Sequence, residues 1–126
     1  MIIALRIALA LLGVLFVSMG FGFLTDPVTA GGDFGLVADG AQGLSSIRAD
    51  FTAFFWVSGG AFLLGAWKRN GDLLLVTAAL MGITLAGRGV SLALDGTYAA
   101  WFLPMTVEAL AVALALIGSR VLPEKA

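Results

Sequence analysis

From Ile7 to Thr25 the chain carries no charged side chain. That uninterrupted apolar run constrains the fold more than any other feature of the sequence. A helix needs roughly 20 predominantly apolar residues to cross the hydrocarbon core of a bilayer. Three further stretches approach that length with few polar interruptions. Together they predict helices over about 2–24, 46–67, 72–94 and 101–121. Length separates them from buried strands, which periodicity alone does not do. Hydrophobic residues make up 60% of the chain and charged residues only 12%, against about 25% charged in a soluble domain. A chain of 126 residues could not hide that much apolar surface from water. The predicted fold class is all-α: a polytopic membrane protein forming a single four-transmembrane-helix, up-down bundle over residues 1–126.

The punctuation between segments agrees with this layout. Thr25-Asp26-Pro27 stops the first helix, because proline cannot continue the backbone hydrogen bonds. Ser45 or Ser46 is positioned to cap the second helix and Asp72 the third, across the tight turn Lys68-Arg69-Asn70-Gly71. Asp95-Gly96 closes the third helix, Pro104 falls in the first turn of the fourth, and Pro123 follows its end. The first segment has some character of a signal peptide, with Arg6 before the apolar run and Val28-Thr29-Ala30 after it. It is longer than a usual signal-peptide core, so a retained helix is expected. The connection over 26–45 is rich in glycine. It is expected either to act as a flexible tether or to fold over the bundle mouth through Phe34, Leu36, Val37 and Leu44.

Basic residues set the expected orientation. Arg6, Lys68, Arg69, Arg120 and Lys125 share one side of a four-pass layout, whereas Asp26, Asp33, Asp39 and Asp95 occupy loops on the other. The expected location is the bacterial inner membrane, with N and C termini cytoplasmic and the 26–45 connection facing outward. Tyr98, Trp101 and Phe102 mark the outer interface and Trp67 the inner one.

Ionisable residues at membrane depth are the candidates for function. A charge at the bilayer centre costs roughly 2.5–3.5 kcal/mol on insertion scales, so such groups face the bundle interior and find partners. The chain has Arg48 and Asp50 in the second segment, Arg88 in the third and Glu108 in the fourth. At about 1.5 Å rise per residue, Arg88 and Glu108 each sit roughly 9–10 Å from the outer end of their helices. Those helices are antiparallel neighbours joined by a short connection, so the two residues lie at matching depth. Thr77, Met81, Thr84, Arg88, Ser91 and Asp95 recur at three- and four-residue steps and form one polar stripe. On the second segment Ser45, Arg48, Thr52, Phe55 and Gly59 share a face, and Asp50 points roughly the other way. The expectation is an Arg88–Glu108 ion pair with Arg48 close by, Gly87 and Gly89 admitting a neighbouring backbone. Either it is structural glue between helices, or it lines an outward-opening polar pocket with Thr84, Ser91, Thr52 and Asp50 near it. In such a pocket Arg48 and Arg88 would bind an anionic headgroup, a carboxylate or a quinone-like carbonyl. A stacking role is open to Phe55 or Trp56. Proton relay through Glu108 lacks a second titratable group on the inner half.

Other classes are narrowed by composition. The net charge of −1 gives no basic field, so no nucleic-acid partner is expected. Neither cysteine nor histidine is present, which removes thiolate chemistry, Cys/His metal sites and the commonest general acid–base. No catalytic residue, metal or cofactor is assigned, and the sequence leans away from an enzyme. Ser58, Gly59, Gly60, Ala61 and Gly65 suit close packing, within the bundle or against another chain.

Three sets of residues on successive helices carry a resemblance: Ser46-Ile47-Arg48-Ala49-Asp50-Phe51, then Gly87-Arg88-Gly89-Val90-Ser91-Leu92 before Asp95-Gly96, then Glu108. With this spacing, nearly the whole chain resembles the small bacterial four-helix membrane proteins of domain of unknown function 4345. Arg48, Arg88 and Glu108 match that family's pattern. Many members place Tyr-Gly-Gly after the Arg-Ala pair, where this chain has Phe51-Thr52-Ala53. The resemblance implies an inner-membrane four-helix protein and no particular reaction, substrate or cofactor. The DoxX-like group shares the architecture. Small multidrug exporters are also short four-helix proteins, but carry an essential acid in the first helix, where this chain has none. The functional expectation is a non-enzymatic accessory or interaction subunit, in contact with membrane lipids and packing against a larger membrane complex or itself. The alternative is binding or transport of a small anionic or amphiphilic ligand in a pocket lined by Arg48, Arg88 and Glu108.

Overall fold

A computed structural model describes residues 1–124, so Lys125, one of the basic residues assigned to the inner side, lies outside the described residues. The elements are α1 (Ile2–Thr25), α2 (Pro27–Asp33), α3 (Gly40–Lys68), α4 (Gly71–Asp95) and α5 (Phe102–Val121). Four of them, α1, α3, α4 and α5, are long and apolar enough to cross a membrane. The all-α four-helix architecture is thus present, with one short helix added.

Local chemistry places the helix ends. Pro27 is the first residue of α2, where its missing N–H does no harm, and the Asp26 carboxylate accepts the Thr29 N–H at 3.2 Å. Asn70, not Asp72, caps α4: its side-chain oxygen accepts from the N–H groups of Asp72 at 3.0 Å and Leu73 at 3.2 Å. Arg69 turns the chain there in the left-handed region, with φ 51°. Gly96 does the same after α4, with φ 84°.

The second long helix starts earlier than expected. It begins at Gly40, so Ser45 and Ser46 lie inside it and cap nothing. Gly43 permits this start: a Cβ there would meet the Cα of Ala38 at 3.2 Å, because the incoming chain lies against the first turn. The 26–45 connection is correspondingly not a tether. Part of it is α2, and Phe34, Leu36 and Ala38 pack against the core. Phe34 sits 5.6 Å from Phe23 and 6.0 Å from Phe55, ring centre to ring centre. Val37, also expected to make apolar contacts, is 94% exposed.

The long helices form a ring in which α1 packs mainly on α3, α3 on α4 and α4 on α5, with α1 touching α5 more lightly. The α1–α3 crossing is closest at paired glycines. A Cβ on Gly13 would lie 2.9 Å from the Gly59 carbonyl oxygen, and a Cβ on Gly59 would lie 2.9 Å from that of Gly13. Only glycine lets two backbones approach so closely. Gly65 likewise admits the Leu74 side chain. Gly59 and Gly65 therefore serve packing within the bundle, whereas Gly60 has open space above it. Gly87 and Gly89 also have nothing within 4 Å, so no neighbouring backbone of this chain uses them.

Three arginines finish helix ends. Arg6 donates to the carbonyls of Ala66 at 2.8 Å and Trp67 at 2.9 Å, at the end of α3. Arg69 donates to the Leu122 carbonyl at 2.6 Å, at the end of α5, and pairs with Glu124 at 3.0 Å. Arg48 donates to the Leu24 carbonyl at 2.9 Å, at the end of α1. Helix C-termini leave carbonyls unsatisfied and carry partial negative charge, so each contact is favourable twice over. Two ends of the bundle follow: a basic end with Arg6, Lys68, Arg69 and Arg120, and a loop end with α2 and the 96–101 turn.

Candidate functional site

Arg88 departs from that pattern. It lies two turns from the end of α4, too deep to reach terminal carbonyls, and its Nε donates to both carboxylate oxygens of Glu108, each at 2.9 Å. The Glu108 side chain is 9% exposed and that of Arg88 27%. Among the described residues, the Nη groups of Arg88 have no protein acceptor. A guanidinium carries five N–H donors; here one faces Glu108 and four remain for something else.

Arg88 lines an open cavity of about 460 Å³ bordered by residues of all four long helices and by Phe34. Leu15, Phe16 and Met19 of α1 form one wall. Asp50, Phe51, Phe54 and Phe55 of α3 form the next, with Phe34 above them. Met81, Thr84 and Arg88 come from α4, and Leu103, Pro104, Val107 and Glu108 from α5. The Thr84 hydroxyl donates to the Leu80 carbonyl at 2.7 Å, which leaves its oxygen free to accept. Asp50 makes no hydrogen bond or ion pair with the described residues. Both α1 and α5 contribute to its lining, and Leu15 of α1 and Leu103 of α5 are exposed. These helices meet toward the basic end, where Leu9 lies against Gly118, but line the cavity toward the loop end.

The predicted residues therefore divide. Arg88, Glu108, Thr84 and Asp50 come together around the cavity. Arg48 does not: its side chain caps α1, and its expected place beside Arg88 is corrected. Thr52 faces α1, donating to the Gly20 carbonyl at 3.4 Å. Ser91 is exposed and donates to Asp95 at 3.3 Å. Asp50, which points away from the Arg48 face of its helix, is the α3 acid that lines the cavity. Phe55 is buried at its wall, but Trp56 turns to α1, its indole over Gly20 and its Nε1 donating to the Val17 carbonyl at 3.2 Å. Sequence reasoning missed Phe54 as a cavity residue, whereas Phe34 follows the expectation that its segment folds over the bundle mouth. A signal existed for Phe54, which stands four residues after Asp50 and so on the same helix face.

The family model described as Domain of unknown function (DUF4345) matches residues 4–118. No curated protein and no solved structure matches the chain.

Proposed function

We propose, from the premise that this chain belongs to the DUF4345 family, that it is a membrane protein whose cavity holds a single amphiphile. The observation that carries this reading is the set of four Arg88 donors without an acceptor among the described residues, beside a cavity whose walls are mostly apolar and aromatic, with Asp50, Thr84 and Glu108 as its other polar residues. A volume of about 460 Å³ falls in the range of small-molecule sites, and an apolar pocket with few convergent polar groups is their usual form. Phe51, Phe54, Leu15, Met19 and Val107 suit an apolar tail. Arg88, held by Glu108, suits a head bearing an acceptor oxygen. The exposed lining residues Leu15 of α1 and Leu103 of α5 support a lateral route for such a molecule from the bilayer. In this reading the protein sits in the bacterial inner membrane with both termini cytoplasmic, and the Arg88–Glu108 pair is an intramembrane ion pair in the outer leaflet. Its role is binding or transfer rather than a reaction.

Purification in a mild detergent, followed by solvent extraction and mass spectrometry, tests this. The expected result is an amphiphile near one per chain, lost in Arg88→Gln and in the cavity-filling Val107→Trp, with helical content retained. Equal retention in all three proteins would overturn the reading.

One observation favours the accessory-subunit role as a second reading. Gly87 and Gly89 face open space on α4, a surface that suits close approach of a further helix. Its support would be a partner at fixed stoichiometry in native mass spectrometry, or a homo-oligomer, lost in Gly87→Leu.

A further inference from the structure

We infer that the cavity selects an ammonium-bearing amphiphile, with Asp50 supplying the recognising charge. This rests on the binding role proposed above and names the class of ligand. The expectation of an anionic ligand needs Arg48 in the cavity, and Arg48 is not among the residues that line it; its Nε donates to the Leu24 carbonyl instead. The ionisable residues that do line it are Asp50, Arg88 and Glu108. Arg88 and Glu108 neutralise one another through two contacts of 2.9 Å. Asp50 is then the unmatched charge, and it is negative. An anion entering this space would face two carboxylates and one guanidinium already paired to a carboxylate.

The surroundings of Asp50 favour the same sign. Phe51 and Phe54 of its own helix line the same cavity, with Phe34 and Phe55 beyond them. Aromatic rings attract ammonium groups through their quadrupoles, and quaternary ammonium recognition commonly combines such rings. Asp50 is exposed and has no hydrogen-bond or ion-pair partner among the described residues, so its carboxylate is free to meet an ammonium at a cavity these rings also line. The free Nη donors of Arg88 then take an acceptor oxygen elsewhere on the same head. The ligand is an ammonium amphiphile carrying an uncharged acceptor oxygen, an ester or a hydroxyl.

Binding to the full chain in nanodiscs of neutral lipid tests the sign. Dodecyltrimethylammonium, dodecanol and dodecyl sulfate share a tail and differ in charge. Each is measured against the Val107→Trp variant in the same discs, which removes partition into the bilayer. The wild type is expected to bind the ammonium probe about tenfold more tightly than the sulfate. Asp50→Asn is expected to collapse that ratio toward one, and Asp50→Glu to keep it. Dodecanol binding with no preference for ammonium over sulfate, or a preference that survives Asp50→Asn, overturns this inference and leaves the amphiphile site standing. If no probe distinguishes the wild type from Val107→Trp, both fall.

Discussion

Replacing Glu108 by leucine removes both acceptors of the Arg88 Nε and leaves a guanidinium beside an apolar wall. The size of the effect follows from the geometry. Charge centres about 4 Å apart attract by about 4 kcal/mol at an effective dielectric constant near 20. Arg88 retains 27% of its side-chain exposure, so the cavity contents screen part of this. Fixing the arginine side chain costs about 1–2 kcal/mol of rotamer entropy. The net coupling is then about 2–3 kcal/mol. It is read from a double-mutant cycle of wild type, Arg88→Leu, Glu108→Leu and the double variant, each unfolded reversibly by sodium dodecyl sulfate in mixed micelles. The double variant should cost about 2–3 kcal/mol less than the sum of the singles, since it leaves no charge stranded. Glu108→Gln should cost less than Glu108→Leu, because the amide oxygen still accepts from Nε. Additivity of the single costs within about 0.5 kcal/mol would refute the pair as an energetic unit.

The glycines make two opposite predictions that thermal melts in one detergent can check together. Gly59→Ala puts a methyl 2.8 Å from the Val17 nitrogen and 2.9 Å from the Gly13 oxygen, backbone atoms that cannot turn aside, so a loss of about 1–3 kcal/mol is expected. Gly87→Ala meets nothing within 4 Å and should be neutral or stabilising by up to about 1 kcal/mol through helix propensity. At the turn before α4, Asn70→Ala strands two N–H groups and should cost about 1 kcal/mol, with Asn70→Asp restoring most of it. Equal melting of Asn70→Ala and wild type would show that the cap contributes nothing.

The long helices were legible because their signal is length and apolarity, which survive any packing. The Arg88–Glu108 contact was legible for a related reason. Helix rise is constant, the connection between α4 and α5 is short, and equal depth on antiparallel neighbours follows from counting. What counting does not give is the rotation of a helix about its axis. The two faces of α3 carry comparable polar residues, Arg48 and Thr52 on one, Asp50 on the other. Which face meets the cavity is decided by the Gly13–Gly59 crossing, which fixes the Thr52 side against α1. Arg48 was misplaced for a further reason: its acceptor is a terminal carbonyl of another helix, a group every residue has and no sequence marks. The early start of α3 was hidden likewise, since Gly40 and Gly43 read as loop until Ala38 is seen lying against Gly43.

These errors of rotation have a chemical consequence larger than their geometric size. With Arg48, Arg88 and Glu108 as the charged lining, the cavity would carry a formal charge of +1 (two cations, one anion) and call for an anion. With Arg88, Glu108 and Asp50 it carries −1 (one cation, two anions). A turn of α3 that moves no backbone atom across the bundle thus inverts the sign of the ligand the site can hold. Asp50→Asn, which returns the lining to neutrality without touching the Arg88–Glu108 contact, is for that reason the substitution that separates a charge-reading cavity from an apolar one.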